Sequence, residues 1–230
     1  MVKQFDGTAE HVARRFAEVR ERVTEAAGEA GRSADEVEIL VATKYVAPAS
    51  MGVLRDAGIG LVGENRAQDL VAKHELFGEA FTYDFIGHLQ SRKVRLVLPL
   101  VRLIHSVSTM SVVQELQSRA ENPVRVLLEV NIGGEETKSG IGLDGVDSFL
   151  EQAAPCDRVE FAGLMCMPPL FDEAQRAAPY FDRTRQLAAD LSSRWAGRYT
   201  FGQLSMGTSA DYEVAVRNGA TIVRVGSVLF

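Results

Sequence analysis

Cysteine is scarce in this chain: Cys156 and Cys166 are the only two in 230 residues, and they form no CxxC pair. No disulfide framework can be built from them, so both are expected as buried or semi-buried thiols in a reducing compartment. Long apolar runs are missing too. The longest candidate, Val94 to Ile104, is interrupted by Arg95, Pro99 and Arg102, well short of the roughly 18–20 apolar residues of a membrane span. The opening Met1-Val2-Lys3-Gln4-Phe5-Asp6-Gly7 has no apolar core of signal-peptide length. A cytoplasmic protein without a membrane partner is expected. Positive charge is in deficit, with 25 Lys and Arg against 31 Asp and Glu and a net charge of −6. That balance argues against a nucleic-acid partner. Ser91-Arg92-Lys93 with Arg95 is a local basic patch, and it reads as the start of a solvated helix. His11, His74, His88 and His105 lack metal-ligand spacing, so no metal site is expected.

What is present supports a sizeable core, since 46% of the residues are hydrophobic and 24% charged. No proline- or serine-rich linker and no internal repeat divides the chain, so one domain, residues 1–230, is the simplest organisation. Short β-rich runs alternate with stretches of helical period. The runs are Val37–Lys44, Gly60–Glu64, Thr82–Gly87, Leu103–Val107, Val124–Asn131, Val159–Met165, Tyr199–Ser205 and Thr221–Leu229. Between them the pattern predicts helices over Ala49–Ala57, Ala67–His74, Ser91–Leu98, Ser111–Ala120, Val146–Ala153, Asp172–Arg194 and Ala210–Asn218. Such alternation implies parallel strands joined by crossovers. Runs such as Ile39-Leu40-Val41 and Val126-Leu127-Leu128 are apolar on both faces, which suits a sheet covered on both sides.

Eight parallel strands can close into a barrel or stay open. The first run is followed by Lys44-Tyr45-Val46-Ala47-Pro48, without the GxGxxG turn of a doubly wound sheet. Small, hydroxyl-bearing segments follow the seventh and eighth runs instead, where TIM barrels commonly hold a phosphate. The expected fold is therefore α/β, a TIM-type (β/α)8 barrel. An extra N-terminal helix is expected from about Thr8 to Ala30, ended by Gly31, with Val12, Phe16, Val19, Val23 and Ala26/Ala27 as its apolar stripe.

Three segments could share one task. Lys44 ends the first apolar run, and an amine desolvated at a strand end is a usable nucleophile. Taken alone, a strand-end lysine snorkelling to solvent is the commoner case. Ser205-Met206-Gly207-Thr208-Ser209 precedes a helix whose N-terminus favours an anion, although Ser209 could equally cap that helix. Gly226-Ser227 makes a second small turn. Arg224 sits inside the last apolar run, where it must either pair with an acid such as Glu129 or Glu64 or serve a ligand. Asn65 ends the second run and can face the site or cap the following helix. His88 and His105 end the third and fourth runs without an obvious carboxylate partner, so no nucleophile triad is indicated. One amine, two phosphate-sized turns and a buried guanidinium suit pyridoxal phosphate held as a Schiff base.

These residues resemble those of the pyridoxal phosphate homeostasis proteins, relatives of the alanine racemase N-terminal barrel. The likeness runs through Val19-Arg20-Glu21-Arg22, Ala26-Ala27-Gly28-Glu29-Ala30-Gly31-Arg32, Val41-Ala42-Thr43-Lys44 and Gly63-Glu64-Asn65-Arg66-Ala67-Gln68. It continues in Phe85-Ile86-Gly87-His88-Leu89-Gln90, Ile104-His105-Ser106-Val107, and Val130-Asn131 on to Glu136, Lys138 and Gly140. Gly163-Leu164-Met165-Cys166-Met167-Pro168-Pro169, Leu204-Ser205-Met206-Gly207 and Val223-Arg224-Val225-Gly226-Ser227 complete it, so nearly the whole chain is covered.

The resemblance implies a covalent aldimine between Lys44 and pyridoxal 5′-phosphate. It puts the phosphate on Ser205, Met206, Gly207, Thr208 and Ser209 and on Gly226 and Ser227, with Arg224 at the pyridine nitrogen and Asn65 near the ring. It further implies a non-enzymatic protein that buffers the cofactor in the cell and hands it to cofactor-dependent apo-enzymes; a monomer is expected. Three departures stand out. Thr208 replaces a common methionine, Asp84 replaces a common histidine, and the chain stops at Phe230 where relatives continue. An amino-acid racemase is the alternative. It needs an acid/base on each face of the substrate carbon, and with the eighth run ending the chain no second domain is expected to supply one. A Schiff-base aldolase would have no use for a phosphate cradle beside an arginine.

Overall fold

The computed structural model describes residues 7–135 and 139–230. The chain's first six residues, and Glu136 and Lys138 of the family-like segment, lie outside the described residues. Helix α1 (Ala9–Glu29) opens on Thr8, whose hydroxyl accepts from the His11 N–H at 3.3 Å. Val12, Val19, Val23, Ala26 and Ala27 are its buried stripe, with Phe16 packed at the edge. Gly31, at φ +69°, supplies the left-handed residue that ends the helix.

The barrel strands are β1 (Glu38–Ala42), β2 (Leu61–Glu64), β3 (Thr82–Phe85), β4 (Leu103–Val107) and β5 (Val124–Asn131). A two-residue strand, β6 (Ile141–Gly142), pairs with the end of β5. The ring continues through β7 (Val159–Cys166), β8 (Gln203–Thr208) and β9 (Ile222–Val225). All pairings are parallel, and β9 against β1, with Leu40 opposite Arg224, closes the eight-stranded barrel. Around it lie α2 (Met51–Asp56), α3 (Ala67–Phe77), α4 (Val94–Val97), α5 (Met110–Arg119), α6 (Val146–Ala153), α7 (Ala178–Arg194) and α8 (Tyr212–Arg217).

Strand alternation produces two cores. Leu40, Leu103, Leu127, Ala162, Met165 and Ile222 fill the lumen. Their neighbours, such as Val41, Ile104, Leu128, Phe161 and Val223, pack outward under the helices. Both faces are thus apolar, as the continuous runs required. Helix α1 lies against α8 and α2. Arg15 Nε donates to the Val228 carbonyl at 3.0 Å, and Arg22 pairs with Glu213 at 3.1 Å, so α1 braces the end of the last strand. No helix among the described residues is long and apolar enough to cross a membrane.

Several boundaries differ from the sequence reading. The first strand stops at Ala42, two residues before Lys44. The last stops at Val225, because the Leu229 N–H turns back to the Gly226 carbonyl at 2.8 Å. The segment expected as Tyr199–Ser205 is shifted, with β8 running from Gln203 through Thr208. The long helix expected from Asp172 begins with a 3-10 turn at Ala174–Ala177, and the last one begins at Tyr212.

Candidate functional site

Lys44 projects from the loop after β1, where its side chain is exposed and its ammonium lies 5.0 Å from the centre of the Tyr45 ring. The desolvation expected of it is therefore not provided here. What is rigid is the backbone just before it. Lys73 on α3 is 1% exposed, and its ammonium donates to the Thr43 carbonyl at 2.7 Å and to Glu64 on β2. The Thr43 hydroxyl also donates to Glu64. A cleft of about 520 Å³ beside these groups is lined by Lys44, Tyr45, Asn65, Arg66, Asp69 and Lys73. Asn65 Oδ1 is buried without a hydrogen-bond partner among the described residues. Asn65 follows the end of β2, and its backbone is packed so closely on Gly87 that a Cβ there would sit 2.1 Å from the Asn65 carbonyl oxygen.

The five residues Ser205 to Ser209 divide into two roles. Ser205, Met206, Gly207 and Thr208 belong to β8, not to a turn, and only Ser209 lies beyond it. Met206 is fully buried. Gly207 has φ +89°, and a Cβ there would lie 2.5 Å from Ala215 Cβ, so the strand can bend against α8 only with glycine. The N–H and hydroxyl of Thr208 both donate to Asp211, at 2.7 and 3.0 Å. Ser209 does not cap α8. Its hydroxyl oxygen accepts from the Gly226 N–H at 2.9 Å and the Val228 N–H at 3.4 Å, tying the end of β8 to the turn after β9. Gly226 lies against β1, where an added Cβ would stand 3.2 Å from the Ala42 carbonyl. Ser227 next to it is exposed.

Arg224 has neither of the acids proposed for it. Glu64 is taken by Lys73, and Glu129 accepts from Ser139 at 2.5 Å. Among the described residues the Arg224 guanidinium finds only neutral acceptors: the Ser205 carbonyl at 2.6 Å, the Ser205 hydroxyl, the Cys166 carbonyl at 3.0 Å and Met167 Sδ at 2.9 Å. Burial pulls its pKa below the ordinary arginine value. A guanidinium nonetheless stays charged. Asp211 and Glu129 act on it only through space; a buried cation with no carboxylate hydrogen-bonded to it is costly and is suited to an acceptor on a ligand.

The sequence offers His105 no neighbouring carboxylate, and the fold supplies one. Its Nε2 lies 3.1 Å from Asp84 Oδ2 and its Nδ1 lies 2.8 Å from Ser205 Oγ. Burial pushes the imidazole pKa down, against the opposing pull of Asp84. Burial alone would raise the Asp84 pKa, but hydrogen bonds from His105 and Arg102 outweigh it and hold the carboxyl below its usual value. The Ser205–His105–Asp84 line has the composition of a hydrolytic triad, yet all three are fully or almost fully buried and Ser205 Oγ already accepts from Arg224. It is no exposed nucleophile. His88, by contrast, is exposed.

At one end of the barrel, then, stand an amine after β1, a cross-linked pair of small turns after β8 and β9, and a buried guanidinium within β9. Residues 42–230 match the family described as alanine racemase, N-terminal domain. A pyridoxal phosphate homeostasis protein of Aquifex aeolicus is 37% identical over 220 residues, spanning 94% of this chain and 96% of the relative. One from Escherichia coli is 34% identical over 229 residues, with 95% of each chain covered. The solved structure of PipY from Synechococcus elongatus with PLP bound has a TM-score of 0.82 at 28% identity, over 95% of this chain and 99% of that one. Fold and match together define the class, the alanine racemase-type (β/α)8 barrels. Within it, the chain belongs to the pyridoxal phosphate homeostasis protein family.

Proposed function

We propose that this protein binds pyridoxal phosphate as a Schiff base on Lys44 and holds it as a cellular reserve, without turning over a substrate. The carrying observation is the buried Arg224 guanidinium, hydrogen-bonded among the described residues only to neutral acceptors, beneath a barrel end where Ser209 links the β8 and β9 turns. The residues fit the cofactor. Asn65 Oδ1 is buried and unpartnered among the described residues. Gly226 lets the turn after β9 close against β1, where a Cβ would stand 3.2 Å from the Ala42 carbonyl oxygen, and hydroxyls and backbone N–H groups are suitable neutral donors for a phosphate.

Bound pyridoxal phosphate supplies an aldehyde for reversible imine formation. Lys44 contributes the amine, and its exposure keeps the bond open to exchange with another amine. Ser209, Gly226 and Ser227 serve the phosphate, with Met206, Gly207 and Thr208 shaping the strand behind them. Arg224 faces the ring nitrogen. The reading places all of this in one domain, residues 1–230, acting as a cytoplasmic monomer that releases the cofactor to apo-enzymes. Borohydride reduction followed by peptide mapping tests it. A phosphopyridoxyl group on Lys44 is expected, and modification only elsewhere, for instance at Lys73 or Lys138, would overturn the assignment.

A further inference from the structure

A line of polar side chains crosses the barrel lumen. Arg102, immediately before β4, binds both oxygens of Asp84 on β3, at 3.1 and 2.8 Å. Asp84 meets His105 Nε2 on β4, and His105 Nδ1 meets the Ser205 hydroxyl on β8. Ser205 in turn accepts from Arg224 on β9. Chemistry gives this line one direction. An ionised Asp84 can only accept, so His105 must carry its proton on Nε2 and leave Nδ1 as an acceptor. The Ser205 hydroxyl then donates to Nδ1, and its lone pair faces the Arg224 N–H. Every group in the sequence is satisfied by one arrangement of protons and by no other with Asp84 ionised.

We infer that His105 and Asp84 are positioning residues for Arg224, acting through Ser205, and that they fix the direction in which the guanidinium meets its ligand. The inference rests on the cofactor reading above. Ser205 Oγ–H is committed to His105, which withdraws Ser205 from any phosphate role. Without His105 that hydroxyl can rotate toward another acceptor, and the arginine loses an oriented lone pair. Packing of the carbonyl acceptors from Ser205 and Cys166 would remain, so the expected result is a misdirected guanidinium within an intact barrel.

The experiment uses the full chain as wild type, His105→Leu, His105→Asn and Ser205→Ala, titrated with pyridoxal phosphate and read by visible absorbance. The asparagine carbonyl can occupy the place of Nδ1 and accept from Ser205, whereas leucine cannot. Loss of one hydrogen bond orienting a charged group predicts a Kd raised about tenfold in His105→Leu and Ser205→Ala, with a shifted visible band. His105→Asn should restore both. Wild-type affinity and spectrum in His105→Leu, or equal loss in His105→Leu and His105→Asn, would overturn the inference. Histidine 15N resonances of the unloaded wild-type protein give a second reading that needs no variant to fold: His105 is expected as the Nε2–H tautomer, and an Nδ1–H tautomer would refute the directed line. Should the wild type form no borohydride-stable adduct at all, the cofactor reading fails, while the tautomer result still judges the hydrogen-bond line itself.

Discussion

Lys73 and Glu64 form an ion pair from which solvent is excluded, their side chains 1% and 0% exposed. The same ammonium holds the carbonyl of Thr43, the residue before Lys44. A pair buried this way contributes modestly as a whole but is costly to break. Lys73→Ala is therefore expected to destabilise the protein by about 3–5 kcal/mol, because Glu64 is left charged and unpaired. The apolar double replacement Lys73→Met with Glu64→Leu should recover most of that loss. Urea unfolding of the single and double variants checks both statements, and a mild effect of Lys73→Ala would mean that Glu64 escapes to water or takes a proton.

Ser227 offers a cleaner probe of ligand binding, since it is exposed and lies beside Gly226. Ser227→Glu should leave the unloaded protein within about 0.5 kcal/mol of wild type, as exposed substitutions generally do. Against a phosphate carrying about −1.5 to −2 charge, the new carboxylate is repulsive, so affinity for pyridoxal phosphate should fall. Equilibrium titration measures this, and unchanged affinity would remove the phosphate from the Gly226–Ser227 turn.

Acid should weaken the fold in two stages. His105 is buried with a lowered pKa, so the unfolded chain takes up its proton first. Its contribution is complete above the ordinary histidine value of about 6.5 and declines as pH falls below it. Asp84, also lowered, contributes above the ordinary aspartate value of about 3.9 and is lost as pH falls through its folded value. The thermal midpoint should thus be level near pH 7–8 and drop progressively on acidification. In His105→Asn the first part of that drop should disappear, and an unaltered profile would show that His105 does not carry it.

The barrel was readable because its signals are local. The α1 stripe places that helix within a residue of its observed ends, and the predicted helix Val146–Ala153 coincides with α6. Ser205 to Thr208 misled because serine, glycine and threonine read as a turn, whereas Gly207 lets a strand bend while staying paired. Lys73 had a visible signal: it stands three residues after Leu70 and four before Phe77, on the apolar stripe of α3. The partners of His105 had none. Asp84 and Ser205 lie 21 and 100 residues away and meet it only across the closed lumen.

Pyridoxal phosphate binding does not by itself entail catalysis, and Arg224 supplies the argument about turnover. Racemisation requires the pyridine ring to accept electrons from a substrate carbanion, which protonation of the ring nitrogen favours. A permanently charged guanidinium at that nitrogen opposes protonation and weakens the electron sink. Asp211 and Glu129 act on that charge only through space, and no carboxylate among the described residues is hydrogen-bonded to the guanidinium. The protein is therefore expected to bind the cofactor yet leave alanine and other common amino acids unracemised. Deuterium exchange at the α-carbon of a panel of L-amino acids, with Lys44→Ala as control, measures this directly. Lysine-dependent exchange, or D-amino-acid formation, at the ~1–10³ s⁻¹ usual for enzymes would make the protein a racemase. Exchange at the rate of free pyridoxal phosphate, the same in wild type and Lys44→Ala, would leave it a holder of the cofactor.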